Sequence, residues 1–292
     1  MWIPSINEPV IHFFGGAIGG TCGTCVTCPL EVIKTRLQSS HCKGRTSLPT
    51  FVANIIAKEG VGALYKGLLP NLIGVTPSKA AYFCTYSTSK RMWNESGYMV
   101  PDSALVHMTS ALLGGFVTAS VINPVWLVKT RLQLHQGRMG VFECIGRIWK
   151  KEGPKGFYKG VTASYMGISE TMIQFVLYEQ LRAMVEEEDK DTKFYTFMLI
   201  GGIAKFCACV ITYPHEVVRT RLREEDSKAK GLINTFGQLF KEGGFRSLYR
   251  GLSVQLMRSV PNTAITMATY EMVIYLLHGL KERLDDPNSA TH

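Results

Sequence analysis

The chain has 292 residues, 46% of them hydrophobic, and its 32 basic and 23 acidic residues give a net charge of +9. A basic balance of this size suits a protein that binds nucleic acid or handles another anion. The lysines and arginines stand mostly between long apolar runs, however, where they can flank a membrane. This segregation is typical of a membrane protein rather than a soluble domain, and we expect no nucleic-acid partner.

Six apolar runs follow one another along the chain, each about as long as a helix that crosses a bilayer (~20 residues). They span residues 10–30, 68–89, 105–128, 161–178, 194–214 and 252–280. The charged residues within them are Lys79, Glu170, Lys205, Arg258 and Glu271. The pattern predicts an all-α membrane protein with six transmembrane helices.

A ten-residue motif that begins with proline occurs three times, as PLEVIKTRLQ from Pro29, PVWLVKTRLQ from Pro124 and PHEVVRTRLR from Pro214. A second motif follows each copy, as EGVGALYKG, EGPKGFYKG and EGGFRSLYRG. Two motifs that recur three times in the same order indicate three structural repeats. We place these repeats at residues 1–98, 99–190 and 191–292.

Between the two motifs of each repeat, a short amphipathic segment is predicted to form a helix on the membrane surface. The three segments cover residues 48–57, 141–150 and 232–240. Apolar residues recur there at helical spacing, such as Phe51 with Ile55 and Phe142 with Ile145. Each repeat should therefore contain a membrane helix, a basic linker with a short surface helix, and a second membrane helix.

Three cysteines at C-x-x-C-x-x-C spacing, Cys22, Cys25 and Cys28, resemble a metal-binding motif. They lie inside the first apolar run, where small residues let membrane helices approach closely. The sequence contains no second C-x-x-C pair that would complete a site. We therefore interpret the cysteines as packing residues and predict neither a metal site nor a cofactor.

The triplicated pattern, P-x-[DE]-x-x-[KR]-x-[KR] followed by [DE]-G and an aromatic-[KR]-G, resembles the signature of the mitochondrial carrier family over nearly the whole chain. More narrowly, PVW at 124–126, GISET at 167–171 and PNTAI at 261–265 look like the pyrimidine nucleotide carriers of that family. The resemblance implies three-fold pseudosymmetry around a central cavity, termini toward the cytosol, alternating access and a multi-pass place in the mitochondrial inner membrane.

The resemblance also implies a ring of ion pairs, the matrix gate, at the matrix ends of the odd-numbered membrane helices. Its expected members are Glu31, Lys34, Trp126, Lys129, Glu216 and Arg219, with Gln38 and Gln133 as hydrogen-bonding braces. Glu31 would pair with Lys129. Glu216 would pair with Lys34. Snorkelling of these helix-end charges to the interface, without a ring, is the alternative.

The third pair of this ring is broken in the sequence. Trp126 stands where an acid would face Arg219. A ring with two pairs should close the matrix side less firmly than a ring with three. We expect the indole of Trp126 to compensate through a cation–π contact with Arg219.

A second ring, the cytoplasmic gate, is implied near the ends of the even-numbered membrane helices, where the family carries [YF]-[DE]-x-x-[KR]. YEQLR at 178–182 fits fully, whereas YSTSK at 86–90 lacks the acid and YEMVI at 270–274 lacks the base. The pairs that remain are Lys90 with Glu179 and Arg182 with Glu271. Two gates of similar strength would let the protein populate both states.

Residues inside the apolar runs that belong to neither gate are the candidates for binding a substrate. By resemblance, the contact positions lie seven residues after the last glycine of each second motif, at Gly74, Gly167 and Arg258. The Gly167-Ile168 pair leaves room for a flat base, and Arg258 offers a guanidinium fork for phosphate. The remaining candidates are Lys79, Glu170, Gln174 and Lys205, with an ion pair between Glu170 and Lys205 as the alternative.

These features predict a transporter and not an enzyme, since the sequence has no phosphate-binding loop and no hydrolase motif. The expected substrate is a pyrimidine nucleoside mono-, di- or triphosphate, or its deoxy form, moved by exchange or uniport. Carriers of adenine nucleotides, NAD, FAD or folate, and an uncoupler or anion channel on the same fold, remain open alternatives. We expect a monomer whose short matrix helices contact lipid, cardiolipin included.

Overall fold

A computed structural model describes residues 8–40, 47–98, 100–184, 190–225 and 231–285 of the chain. Most of these residues are helical, and all six apolar runs form long helices. In chain order the helices are α1 (Glu8–Gln38), α2 (Leu48–Glu59), α3 (Leu68–Ser96), α4 (Ala104–Leu134), α5 (Val141–Glu152), α6 (Val161–Ala183), α7 (Lys190–Arg223), α8 (Leu232–Gly243), α9 (Phe245–Leu248) and α10 (Leu252–Asp285). The all-α prediction is confirmed.

The short helices α2, α5 and α8 form where the amphipathic segments predict them, each two or three residues longer. Each packs one apolar face against the end of the long helix before it. Ile148 of α5 is buried against Val128 of α4, and Leu239 of α8 against Val218 of α7. Burial of one such side chain stabilises the fold by about 1.5–3 kcal/mol. The opposite faces stay exposed, as Phe142 does, and can meet lipid.

The long helices form a ring in which neighbouring repeats share long seams, because α3 packs along α4, α6 along α7 and α10 along α1. Close approach at the last seam requires glycine. A Cβ atom on Gly19 would lie 2.7 Å from the carbonyl oxygen of Thr266. Substituents of that size would push α1 and α10 apart, which explains the glycine-rich start of the chain.

The last glycine of the second motif joins each repeat to its neighbour. Gly67 has a φ of 78°, in the left-handed region that favours glycine. A Cβ atom there would also lie 2.9 Å from Cγ of Gln133 and 3.0 Å from the carbonyl oxygen of Lys129. The motif therefore starts α3 directly against the end of α4, where the candidate site lies.

The outer surface of the ring is apolar. Exposed hydrophobic side chains cover its helices, among them Ile73, Phe116, Val121, Ile203, Phe206, Val260 and Met267. Two stretches of the described residues, Gly15–Gln38 and Ala104–Leu134, are long and apolar enough to cross a membrane. The other long helices carry polar and charged side chains, several of which face the interior and lower the mean hydropathy of those helices.

Candidate functional site

The long helices enclose a central cavity with a volume of about 870 Å³. Pockets for small molecules in proteins typically measure ~300–1,000 Å³. One end is lined by Tyr82, Tyr86 and His107, and the hydroxyl group of Tyr86 lies 2.6 Å from Nδ1 of His107. The other end is a floor of charged residues at the C-terminal ends of α1, α4 and α7.

Glu31 is the centre of the first group of charges on this floor. Its carboxylate forms the expected ion pair with Lys129. Arg258 of α10 donates to the second carboxylate oxygen from Nη2 at 2.9 Å. The amide of Gln133 also donates to Glu31, at 3.4 Å, and Asn71 accepts from Lys129 at 2.9 Å. Three further repeat-spanning contacts thus converge on this ion pair.

Glu216 is the centre of the second group. Lys34 donates to its carboxylate at 2.5 Å, as expected. Arg219, one turn further along α7, lies 3.6 Å from the other carboxylate oxygen. Both carboxylates of the floor therefore face two cations each; Glu31 is buried, and Glu216 is partly buried with 14% of its side chain exposed.

The expected contact of Trp126 with Arg219 is wrong. Nζ of Lys129 lies over the indole ring instead, 4.9 Å from its centroid. Residues three apart on a helix are neighbours, so Lys129 reaches the ring without leaving Glu31. Arg219 contacts the carboxylate of Glu216 on its own helix, because a formal negative charge attracts a guanidinium more strongly than an aromatic face does.

The two brace glutamines behave differently. Gln133 contacts Glu31 directly, as expected, and accepts from Thr35 at 3.0 Å. Gln38 does not contact the Lys34–Glu216 pair. Its amide donates to the hydroxyl group of Tyr213 at 3.0 Å and accepts from Thr220 at 2.8 Å. The side-chain amide of Gln38 is thus bonded to Tyr213 and Thr220 instead of the ion pair.

Below the floor, three arginines tie the repeats together in a cycle. Arg36 donates from Nε to the carbonyl oxygen of Gln133, and Arg131 does the same to that of Arg223. Arg221 closes the cycle on the carbonyl oxygen of Gln38 at 2.7 Å. Each of the three also binds the glutamate that opens the second motif of its own repeat, at Glu59, Glu152 and Glu242. The second motif therefore anchors the linker helices to this cycle.

Glu59, on the surface helix α2, makes this cycle sensitive to acid. Burial raises the pKa of its carboxyl group, but the hydrogen bonds from Arg36 and Lys66 outweigh burial. The pKa therefore falls from 4.5 to about 2. A lowered pKa in the folded state means that the stabilisation is complete above pH 4.5 and is lost as the pH falls toward 2.

We expect Glu59→Gln to lower the thermal unfolding midpoint at pH 7 by roughly 4 °C. The difference from the wild type should shrink as the pH falls from 4.5 toward 2, which unfolding scans in detergent would measure. Glu143→Gln, in an exposed pair with Arg147, is the control and should have little effect. A difference that stays constant down to pH 2.5 would show that the Glu59 charge does not stabilise this cycle.

Gly167, the substrate-contact position predicted in the second repeat, lies in the cavity wall. Gly167 and Ile168 both line the cavity, and Ile168 packs against Gly115 of α4. Glu170 also lines it, but its carboxylate accepts from Lys205 at 2.7 Å. The ion pair between Glu170 and Lys205, the alternative to substrate contact, is therefore formed.

Space beside Gly167 is limited by a buried imidazole. A Cβ atom on Gly167 would lie 2.9 Å from Nε2 of His215, whose other ring nitrogen contacts the carbonyl oxygen of Thr212. Overpacking of this kind typically costs about 1–3 kcal/mol. We expect Gly167→Ala to slow substrate exchange about tenfold, as measured with reconstituted protein.

Gly202→Ala on α7 is the matched control, since no atom lies within 4 Å of its added Cβ. Gly202→Ala should unfold near the wild-type temperature, whereas Gly167→Ala should unfold a few degrees lower because of its overpacking. Equal exchange rates for the two alanine variants would mean that the cavity tolerates a methyl group at residue 167.

Four expected substrate residues do not line the cavity. Gly74 is buried against Val125 and Trp126, because the indole of Trp126 fills the space in front of it. Gln174 is partly buried and lies off the lining face of α6, between Thr171 and Phe175. The others, Lys79 and Lys205, are exposed.

Neither expected pair of the cytoplasmic gate is formed in the described part of the chain. Lys90 pairs instead with Asp102, in the connection between α3 and α4, at 2.8 Å. The guanidinium of Arg182 lies 5.7 Å from the ring centroid of Phe197. Glu179 and Glu271 are exposed. The helices that carry these residues, α3, α6 and α10, make few or no direct contacts with one another, so the expected partners do not meet.

Sequence reasoning missed two parts of the site. The first is the aromatic wall of Tyr82, Tyr86, His107 and Phe175. The i, i+4 spacing of the two tyrosines indicates a shared helix face, and this signal was available. The second is Arg223, which lines the floor at the position that glutamine occupies in the first two repeats.

A family model described as mitochondrial carrier protein matches the chain three times, over residues 6–97, 100–189 and 190–281. The chain belongs to the mitochondrial carrier family, and its fold is the three-repeat carrier fold. It is 46% identical over 312 residues to solute carrier family 25 member 36-A of Danio rerio, covering 94% of this chain and 100% of that protein.

Two further relatives are also similar along most of their length. Solute carrier family 25 member 33 of Homo sapiens is 44% identical over 310 residues, covering 93% of this chain and 96% of that protein. The mitochondrial pyrimidine nucleotide transporter RIM2 of Saccharomyces cerevisiae is 36% identical over 326 residues, covering 92% of this chain and 86% of that protein.

Proposed function

We propose that this protein moves pyrimidine nucleotides and deoxynucleotides across the mitochondrial inner membrane, by exchange through a site that opens to one side at a time. It would act as a monomer with six membrane-spanning helices and without covalent chemistry. The yeast relative is named as a pyrimidine nucleotide transporter, which supports this choice of substrate.

The charge of the cavity carries the proposal. Among the described residues that line it, five are cations (Lys34, Lys129, Arg219, Arg223 and Arg258) and three are carboxylates. One carboxylate, Glu170, is already paired with Lys205. The floor thus keeps an excess of positive charge in a confined space. A chain of phosphates, with several negative charges, would neutralise it.

The wall above the floor suits the remainder of a nucleotide. Tyr82 and Tyr86 stack on each other with ring centroids 6.1 Å apart, and Phe175 lines the cavity as well. A flat base can stack on such rings. Gly167 and Ile168 line the cavity as well. We therefore place the base and sugar along this wall and the phosphates on the floor, with Arg258 as a phosphate ligand.

The two ends of the cavity support alternating access. Ion pairs close the floor, which the family likeness assigns to the matrix side. At the opposite end, the residues expected to form the cytoplasmic gate are not paired with one another. In the opposite state, we propose that Lys90 pairs with Glu179 and Arg182 with Glu271, and that the floor pairs separate. The exposed faces of α2, α5 and α8 would then rest on matrix-side lipid, cardiolipin included.

The test is a counter-exchange assay with protein reconstituted into liposomes loaded with UTP. Labelled UTP, CTP and their deoxy forms should enter at saturable rates that depend on internal nucleotide. ADP, NAD, FAD and folate should compete weakly. Proton or anion current without exchange would contradict the proposal, and so would a preference for one of the four competitors.

A further inference from the structure

Arg223, the last residue of α7, is a buried cation on the cavity floor. Its exposed fraction is 6%, and it lines the cavity. Nη2 donates to Oδ1 of Asn123 at 2.8 Å and to Oγ of Ser164 at 3.1 Å. Nε is buried without a hydrogen-bond partner. Among the described residues, the hydrogen-bond partners of its side chain are thus neutral, and no ion pair there includes Arg223.

A buried guanidinium without a counter-charge is costly, by several kcal/mol, unless an anion joins it. The two carboxylates of the floor are already engaged, Glu31 by Lys129 and Arg258, and Glu216 by Lys34 and Arg219. Neutral partners such as Asn123 and Ser164 orient the guanidinium, but they do not neutralise it.

The first two repeats show that the fold does not need a cation here. The equivalent residues are Gln38 and Gln133, which are as deeply buried and are held by neutral hydrogen bonds or by Glu31. The chain therefore departs from its own three-fold pattern at one position, and the departure adds a positive charge. Its backbone carbonyl still accepts from Arg131, so the cycle below the floor is complete without the guanidinium.

We propose that Arg223 forms an anion subsite at the corner of the floor between α4, α6 and α7, which takes the terminal phosphate of the transported nucleotide. This inference rests on the proposed function and extends it. Arg258 and Arg219 contact the floor carboxylates Glu31 and Glu216, whereas Arg223 contacts Asn123 of α4 and Ser164 of α6. A longer phosphate chain reaches the subsite and a monophosphate does not, so that Arg223 sets the preference for phosphate number.

The experiment compares wild-type protein with Arg223→Gln, which restores the residue of the other two repeats. Apparent KM values are measured for UMP, UDP and UTP in liposome exchange. For Arg223→Gln, we expect the KM of UTP to rise about tenfold and that of UMP by less than about twofold. Arg223→Lys keeps the positive charge but loses the guanidinium fork, so its KM for UTP should lie between those of the wild type and Arg223→Gln. Arg147→Gln, an exposed arginine on α5, is the control.

A second readout separates this subsite from the proposed function. Inorganic tripolyphosphate should raise the unfolding temperature of the wild type in detergent, and raise that of Arg223→Gln clearly less. This result would support the subsite even if the wild type failed to transport pyrimidine nucleotides. Equal changes in KM for all three nucleotides, unchanged KM values, or equal stabilisation of both proteins by tripolyphosphate would overturn it.

Discussion

Glu31→Gln is expected to reduce nucleotide exchange by at least about 100-fold. Glu31 is the counter-charge of both Lys129 and Arg258 on the cavity floor. Removal of one partner from a buried ion pair costs about 3–5 kcal/mol, because the remaining charge is left uncompensated. A penalty of that size on the state with a closed floor shifts the equilibrium between the two states by two powers of ten or more. The carrier would then stay in one state.

Two measurements check this prediction. Exchange of labelled UTP in liposomes gives the rate, and an unfolding scan with circular dichroism shows whether the variant is folded. Glu143→Gln, which makes the same chemical change in an exposed pair on α5, should exchange at the wild-type rate. Rates within a factor of two of the wild type for a folded Glu31→Gln variant would mean that the floor pairs do not act as a gate.

Arg258→Ala should abolish transport and leave the fold intact. The substitution removes the guanidinium fork proposed to bind phosphate. The protein should remain folded because Glu31 keeps Lys129 and Gln133 as partners. In the structure Arg258 already holds Glu31, so that a phosphate group would compete with this carboxylate. Substrate binding would thereby weaken the floor contacts of Glu31, which couples binding to opening.

Arg258→Lys separates the two roles of this residue. A lysine keeps the attraction to Glu31 but loses the two-pronged contact with phosphate. We expect intermediate exchange, with a raised KM and an unfolding temperature near that of the wild type. Wild-type rates for Arg258→Ala would contradict the assignment of this arginine to the substrate.

Local and repeated features could be predicted from the sequence. The six long helices and the three surface helices follow from apolar runs and motifs that recur three times, and the pairs Glu31–Lys129 and Glu216–Lys34 follow from the resemblance of these motifs to the carrier family. Recurrence makes them predictable, because each copy occupies the same place in a pseudosymmetric ring. The contact between Trp126 and Lys129 was also within reach, since it needs only the three-residue spacing of one helix.

Positions that break the three-fold pattern could not be predicted in the same way. Gly74 is equivalent in sequence to Gly167, yet it is covered, since the large side chain of Trp126 stands in front of it. Arg223 replaces a glutamine, and its lack of a counter-charge emerges only when the neighbouring helices are in place. The partners of Lys90 and Glu179 depend on which end of the cavity is open, and this is a property of a state rather than of a sequence.

The sequence by itself determined that this is an all-α membrane carrier of three repeats with a basic interior, because helix length, apolar runs and repeated motifs are local properties of the chain. Only the tertiary structure decided which charges neutralise one another and which remain for a ligand. Electrostatic pairing depends on distances of a few ångströms between helices that are far apart in sequence. Those distances exist only once the ring has closed around its cavity.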